Sequence, residues 1–250
     1  MSAPSGTSGL FTALVDDAGL FPPTALHMDE ALARHQRDLD EGSPVLTHRF
    51  LCPASRLDAL RRISPGPNRI GLILDTHALP DFTGLPVDLV ETKQPPEEVE
   101  PIPGVRVFAE VVPRRQITGL REGVGLKVRC GGLTADAFPT PEHLGAFIEF
   151  CAEHDVPFKA TAGLHHAVRH FDPSLGVDRH GFLNLVLAVC EAAERRDPVP
   201  ILRTTDVGLL VRLAHAVSEE TAKRARQLLV SYGSCSTSTP IDDLKTLGVA

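Results

Sequence analysis

The sequence predicts an α/β protein, a (β/α)8 TIM barrel, and three observations carry the prediction. Eight short runs rich in Val, Ile and Leu recur along the chain, which is how strands read when both of their faces are buried. Most of these runs are separated by helical or loop segments long enough for the crossovers that join parallel strands. The chain length of 250 residues matches one barrel of this kind. A doubly wound open sheet is the lesser alternative. Residues 1–9, MSAPSGTSG, are assigned to a disordered leader and residues 10–250 to a single barrel domain.

In chain order, LFTALV from Leu10 reads as the first strand and delivers Asp16 and Asp17 to a turn. Pro22 and Pro23 delay helix until about Thr24; MDEALARHQRDLDE then has apolar positions at helical spacing and stops at Gly42. VLTHRFLCP is the second strand, and ASRLDALRRI is its helix, closed by SPGPN. RIGLILDT is the third, with Asp75 at its end, and VDLVETK, VRVFAEVV, GVGLKVRC and VPFKATAG are the fourth to seventh. DTHALPDFTGLP and QPPEEVEPIPG, after strands three and four, are too short or too rich in proline for full helices. Between strands six and seven, Thr140, Pro141 and Glu142 supply an N-cap, a first-turn proline and an acid for the helix dipole. HGFLNLVLAVCEAAERR, VGLLVRLAHAV and EETAKRARQLL read as two or three helices that enlarge the segment between strands seven and eight. LLVSYGSC is the eighth strand and TPIDDLKTLG the closing helix.

Composition excludes several function classes. A net charge of −7, with 5% aromatic residues and no Trp, argues against nucleic acid, which needs basic surface or stacking platforms. No apolar run reaches ~18 residues, so no membrane span is expected. Cys52, Cys130, Cys151, Cys190 and Cys235 form no C-x-x-C pair and read as reduced thiols in a cytoplasm. VLAVCEAA and LLVRLAHAV are apolar enough to pack on each other, on the barrel, or on a second copy in a homo-oligomer.

The candidate chemistry lies in residues 123–165, where Lys127 and Lys159 each interrupt an apolar strand. Burial and a neighbouring cation both favour the neutral amine, which attacks carbonyls as a Schiff-base nucleophile. Barrel active sites lie at the carboxyl ends of the strands. That rim should gather Asp16, Asp17, Cys52, Asp75, Glu91, Lys93, Glu110, Lys127, Arg129, Lys159, His165, Ser234 and Ser236. Lys127 or Lys159 could equally serve as an internal salt bridge to Glu91 and Glu110.

These runs resemble the class I aldolases of the deoxyribose-phosphate aldolase type. That family carries K-T-S-T-G on strand six, K-A-x-G-G on strand seven and G-x-S-S after strand eight. The counterparts here are KVRCG from Lys127, KATAG from Lys159 and GSCS from Gly233. VDLV is similar to the family's E-V-D-x-V, RFLCP to its second strand and VRVFAEVV to its fifth, so the likeness runs from about residue 46 to 240. The resemblance implies a lyase that acts on a small carbonyl or anionic metabolite without cofactor or metal. Lys127 would be the nucleophile, with Lys159 and Arg129 holding its pKa down, and Asp88, or failing it Glu91 or Glu110, would relay protons. Ser234, Ser236 and the Gly163 backbone would hold an anionic group at a helix N-terminus, with His165 and His166 beside it. Arg129 and Cys130 stand where the family has small hydroxyl residues, His165 where it usually has Arg, and the segment 167–227 is longer. A different substrate from deoxyribose phosphate is expected.

Two other readings compete. His165, His166, His170 and His180 fall within sixteen residues, with His166 and His170 at a spacing that suits one helical face. They could serve a metal-dependent hydrolase or lyase. A barrel that binds a metabolite without turnover is the third.

Overall fold

The structure is a computed structural model describing residues 6–63, 66–113 and 117–249. Its strands are β1 (Val15–Asp17), β2 (Leu46–Pro53), β3 (Ile70–Ile73), β4 (Val87–Thr92), β5 (Arg106–Val111), β6 (Val124–Arg129), β7 (Phe158–Thr161), β8 (His170–Asp172), β9 (Val177–Arg179) and β10 (Leu229–Ser234). Eight of them close into a parallel barrel in the order β1-β10-β7-β6-β5-β4-β3-β2, with helices among the crossovers, which is the TIM architecture. β8 and β9 form a separate antiparallel hairpin, a feature the sequence reading passed over.

The start of the chain differs from expectation. Residues 6–9, assigned to a disordered leader, belong to a helix Gly6–Phe11, while residues 1–5 lie outside the described residues. The LFTALV run is therefore not a strand. Leu10 and Phe11 end the helix with buried side chains, Ala13 turns the chain at φ 49°, and only then does the three-residue β1 begin. The run is apolar because both pieces bury it, so composition alone could not separate them.

The helical expectations fared better. Helix Met28–Glu41 ends at Gly42, whose φ of 63° is the left-handed stop that glycine takes without strain. Helix Pro141–Glu153 opens on Thr140, whose hydroxyl accepts from the His143 backbone N–H at 3.2 Å. The connections after β3 and β4 hold no α-helix, only a 3-10 turn at Pro96–Glu98 in the second. Between β7 and β10 come the hairpin and helices Phe182–Ala193, Val199–Arg203, Val207–Ala216 and Glu219–Leu228. Phe182–Ala193 is buried almost all round, against its helical neighbours and the barrel, so VLAVCEAA spends its apolar surface within the chain. Among the described residues no helix is long and apolar enough to cross a membrane.

Side chains alternate between the barrel interior and the helical layer. On β6, Gly125 precedes Lys127 by two and leaves room for the Phe108 ring. A Cβ at Gly125 would lie 2.6 Å from that ring and 2.7 Å from the Pro157 carbonyl oxygen. Neither neighbour can yield cheaply. Gly125→Ala should cost about 1–3 kcal/mol of stability by overpacking, measured by urea denaturation, and an unchanged midpoint would contradict this account of the interior.

Candidate active site

The barrel interior is built around charge instead of the branched apolar layers usual for this fold. Eight ionised side chains alternate in sign along one connected path: Arg69, Asp88, Arg49, Asp16, Lys159, Glu91, Lys127 and Glu110. Arg69 just precedes β3 and Asp88 is the second residue of β4, so that end of the path lies toward the amino-terminal side. Glu91, Glu110 and Lys127 sit late in β4, β5 and β6, toward the carboxyl-terminal mouth. Side-chain exposure falls from 41% at Arg69 to 0% at Asp16 and rises again to 14% at Glu110.

At the centre, Asp16 uses both oxygens fully. Oδ1 accepts from Thr47 Oγ1 at 2.6 Å and from an Arg49 terminal nitrogen at 2.7 Å; Oδ2 accepts from Ser231 Oγ at 2.7 Å and from Lys159 Nζ. Lys159 also donates to Ser231 Oγ at 2.9 Å. Burial opposes ionisation of Asp16, but Lys159 and Arg49 outweigh it and hold the carboxyl well below its usual range. On the mouth side, Glu91 takes one lysine on each oxygen, Lys127 at 2.6 Å and Lys159 at 3.4 Å, and Glu110 meets Lys127 at 3.0 Å. Lys127 and Lys159 are register partners on β6 and β7.

This pairing corrects the expected state of the nucleophile. Burial would favour the neutral amine of Lys127, but Glu91 and Glu110 outweigh it and raise the pKa above its ordinary 10.5. Glu91 is correspondingly lowered: burial resists ionisation, and Lys127 and Lys159 overcome it. No cation is among the leading influences on Lys127 here. The internal salt bridge weighed from the sequence is present in the structure.

The remaining sequence candidates disperse. Asp88 makes a two-point contact with Arg49, at 2.8 and 3.0 Å, and pairs with Arg69, not with either lysine. It is the extra residue of a bulge, since Ile70 pairs with Val87 and Gly71 with Leu89, which places it on the far side of Arg49 from Asp16. Asp16 and Asp17 do not act as a pair. Asp17 points out of the barrel to Arg34 and His35, and its Oδ1 accepts from the Gly19 N–H at 2.9 Å. Cys52 is buried in the outer apolar layer, which pushes its thiol up to about 12. Asp75 is exposed and holds the Ser55 N–H and hydroxyl, fixing the turn after β2. Lys93 and Arg129 are exposed at the ends of β4 and β6.

Gly163 packs the β7 end against the β6 end: its φ is 75°, and a Cβ would lie 2.8 Å from the Cys130 carbonyl oxygen. Ser234 Oγ donates to the Ser236 carbonyl at 2.6 Å, and Ser236 Oγ accepts from the Thr239 N–H at 3.2 Å, so both serve the start of helix Ser238–Leu247. The four histidines do not gather at one site, although His166 and His170 meet edge to face with ring centroids 5.4 Å apart. His166 is exposed beside Asp243, His170 lies in β8 instead of on a helix, and His180 is buried with Nε2 2.7 Å from the Pro139 carbonyl, its pKa pushed down to about 4 by burial. His165 meets Cys235. Among the described residues no group of three or more His, Cys, Asp or Glu could hold a metal ion.

Thr47, Arg49, Arg69 and Ser231 are the interior residues the sequence reading missed. Arg49 had the same signal as the lysines, a charge inside an apolar strand, and Thr47 shares its strand face. Ser231 in LLVSYGSC was obscured by the GSCS run beyond it. No family model, no curated protein and no solved structure matches the chain.

Removing Asp16 would leave Lys159 and Arg49 buried without their shared counterion. Asp16→Asn is expected to destabilise the fold by about 3–5 kcal/mol, read from chemical denaturation. The acid dependence follows from Asp16 and Glu91, both lowered in the folded state. Their contribution is complete above the unfolded values of 3.8 and 4.5 and is lost as pH falls through the lower folded values. Stability should therefore decline below about pH 4.5 in the wild type, and with a shallower slope in Asp16→Asn; equal slopes would contradict the assignment.

Proposed function

We propose that this barrel is a lyase of the class I aldolase type, acting on a small carbonyl metabolite through an imine at Lys127. The observation that carries the reading is the Lys127, Glu91 and Lys159 arrangement: two lysines on adjacent strands share one buried carboxylate, with Glu110 as a second carboxylate on the lysine nearer the mouth. Such a site supplies a nucleophile, a neighbouring cation and two groups able to move protons. The proton-relay role that the resemblance gives to Asp88 passes to Glu91 and Glu110, because these touch the amine.

The resting ammonium must lose a proton before it attacks. Its raised pKa makes that loss unfavourable at neutral pH. Glu110, at 3.0 Å, is the acceptor we assign, since Glu91 is also committed to Lys159. The amine then adds to the carbonyl carbon and passes one N–H proton to the oxygen, and the protonated carboxyl returns its proton as water leaves. The iminium withdraws electrons, so a C–C or C–H bond next to it breaks while a carboxylate takes or gives the proton. Arg129, exposed at the end of β6, is assigned to an anionic substituent of the substrate. We assign substrate selection to the segment between β7 and β10, longer here than in the aldolases it resembles. Five unbridged cysteines fit a reducing, cytoplasmic setting.

The full pairing of Lys127 also favours a second reading, a barrel that binds such a metabolite without turning it over. Borohydride trapping separates the two. With a small aldehyde or ketone present, reduction should fix the carbonyl carbon skeleton on Lys127, mapped by peptide mass spectrometry. Absence of label on every lysine at saturating carbonyl would leave the binding reading standing alone. Glu110→Gln should slow trapping by about 10²-fold or more while the protein stays folded.

A further inference from the structure

We propose that Cys235 and His165 form a reactive thiol–imidazole pair at the carboxyl-terminal end of the barrel, a covalent site for a small aldehyde. Cys235 follows β10 and His165 follows β7, and these strands are neighbours in the closed barrel. Their loops therefore meet at one edge of the mouth, with Sγ 3.6 Å from His165 Nδ1. Thr24, in the loop after β1, the other neighbour of β10, also favours the thiolate at this sulfur. An imidazole beside a part-buried sulfur is an environment that favours a thiolate.

The other cysteines are a built-in contrast. Burial pushes Cys52, Cys130 and Cys190 up to about 12 and raises Cys151 as well. Burial also acts against the Cys235 thiolate, but His165 and Thr24 outweigh it and bring the thiol down to about 7. Cys235 keeps 7% of its surface exposed, the largest share of the five. The charged groups packed nearby are largely paired off. Arg34 donates to the Cys235 carbonyl at 2.7 Å and is neutralised by Asp17, which also meets His35; Asp38 lies on the same helix, its carboxyl pushed up by burial. His165 is thus the titratable partner that faces the sulfur directly.

A displacement reaction at an alkyl halide would need only the sulfur. Addition to a carbonyl needs an acid too, and this pair contains one. The thiol proton passes to His165, Sγ forms a bond to the aldehyde carbon, and the C=O π pair moves onto oxygen. The imidazolium then gives its proton to that oxygen, leaving a thiohemiacetal and neutral His165. Atoms and electrons balance without an oxidant, and the reverse path releases the aldehyde. The site is separate from the lysine chemistry proposed above, because borohydride fixes an imine on lysine but cannot fix a thiohemiacetal on sulfur.

The test is alkylation of the intact protein by iodoacetamide between pH 5 and 9, mapped by peptide mass spectrometry, with and without glycolaldehyde. Cys235 should be labelled at least about tenfold faster than the other four cysteines, with half-maximal rate near pH 7. His165→Gln should move that midpoint upward by a unit or more. Glycolaldehyde should slow labelling of wild-type Cys235, and borohydride added afterwards should lift that protection by consuming the free aldehyde. The proposal is overturned if Cys235 reacts no faster than the buried cysteines, if His165→Gln leaves the midpoint in place, or if glycolaldehyde gives no protection. It is overturned equally if protection survives borohydride, since the block then comes from a lysine adduct.

Discussion

Ionised side chains enter a barrel core only where each lies between neighbours of opposite sign, because an isolated buried charge costs several kcal/mol. Arg69, Asp88, Arg49, Asp16, Lys159, Glu91, Lys127 and Glu110 meet that condition as a single alternating path of four cations and four anions. Its middle is buried and its two ends approach solvent. Much else in the barrel accommodates it: Gly71 is small where Arg49 passes, with a Cβ there only 2.9 Å from Arg49 Cδ, and Thr47 and Ser231 complete the coordination of Asp16.

The same path sets what the site can do. An ammonium held by two carboxylates is a poor nucleophile at rest, yet its acceptors for the departing proton are already in place. Lys159 cannot take that role on equal terms, because Asp16, Ser231 and Glu91 occupy its ammonium and it is almost fully enclosed. Placement along the barrel axis therefore divides two chemically identical residues, one fixing the core and one facing the mouth. Shifting the charge on either propagates to a shared carboxylate, so the charge states of the two lysines are coupled through Glu91.

Much of this was legible in the sequence, for physical reasons. Strands buried on both faces and helices with clear stops, such as Thr140 at one end and Gly42 at another, announce themselves locally. A lysine in an apolar strand is equally conspicuous, and the possibility that Lys127 neutralises Glu91 and Glu110 could be read from charge alone. What could not be read depended on register and on contacts far apart in the chain. Asp88 matched a motif, but a bulge turns it to Arg49; Asp17 follows Asp16 and so faces the opposite side. Cys235 reaches His165 across 70 residues, and nothing local marks the pair.

Glu91 and Glu110 hold Lys127 as an ammonium in the resting barrel. Side-chain NMR of lysine-labelled protein, with Lys127 assigned by substitution and followed from pH 6 to 11, reads that state directly. The Lys127 signal is expected to stay in its protonated form past the ordinary lysine value of 10.5. A Lys127 signal that is already that of the neutral amine near pH 7 would contradict it.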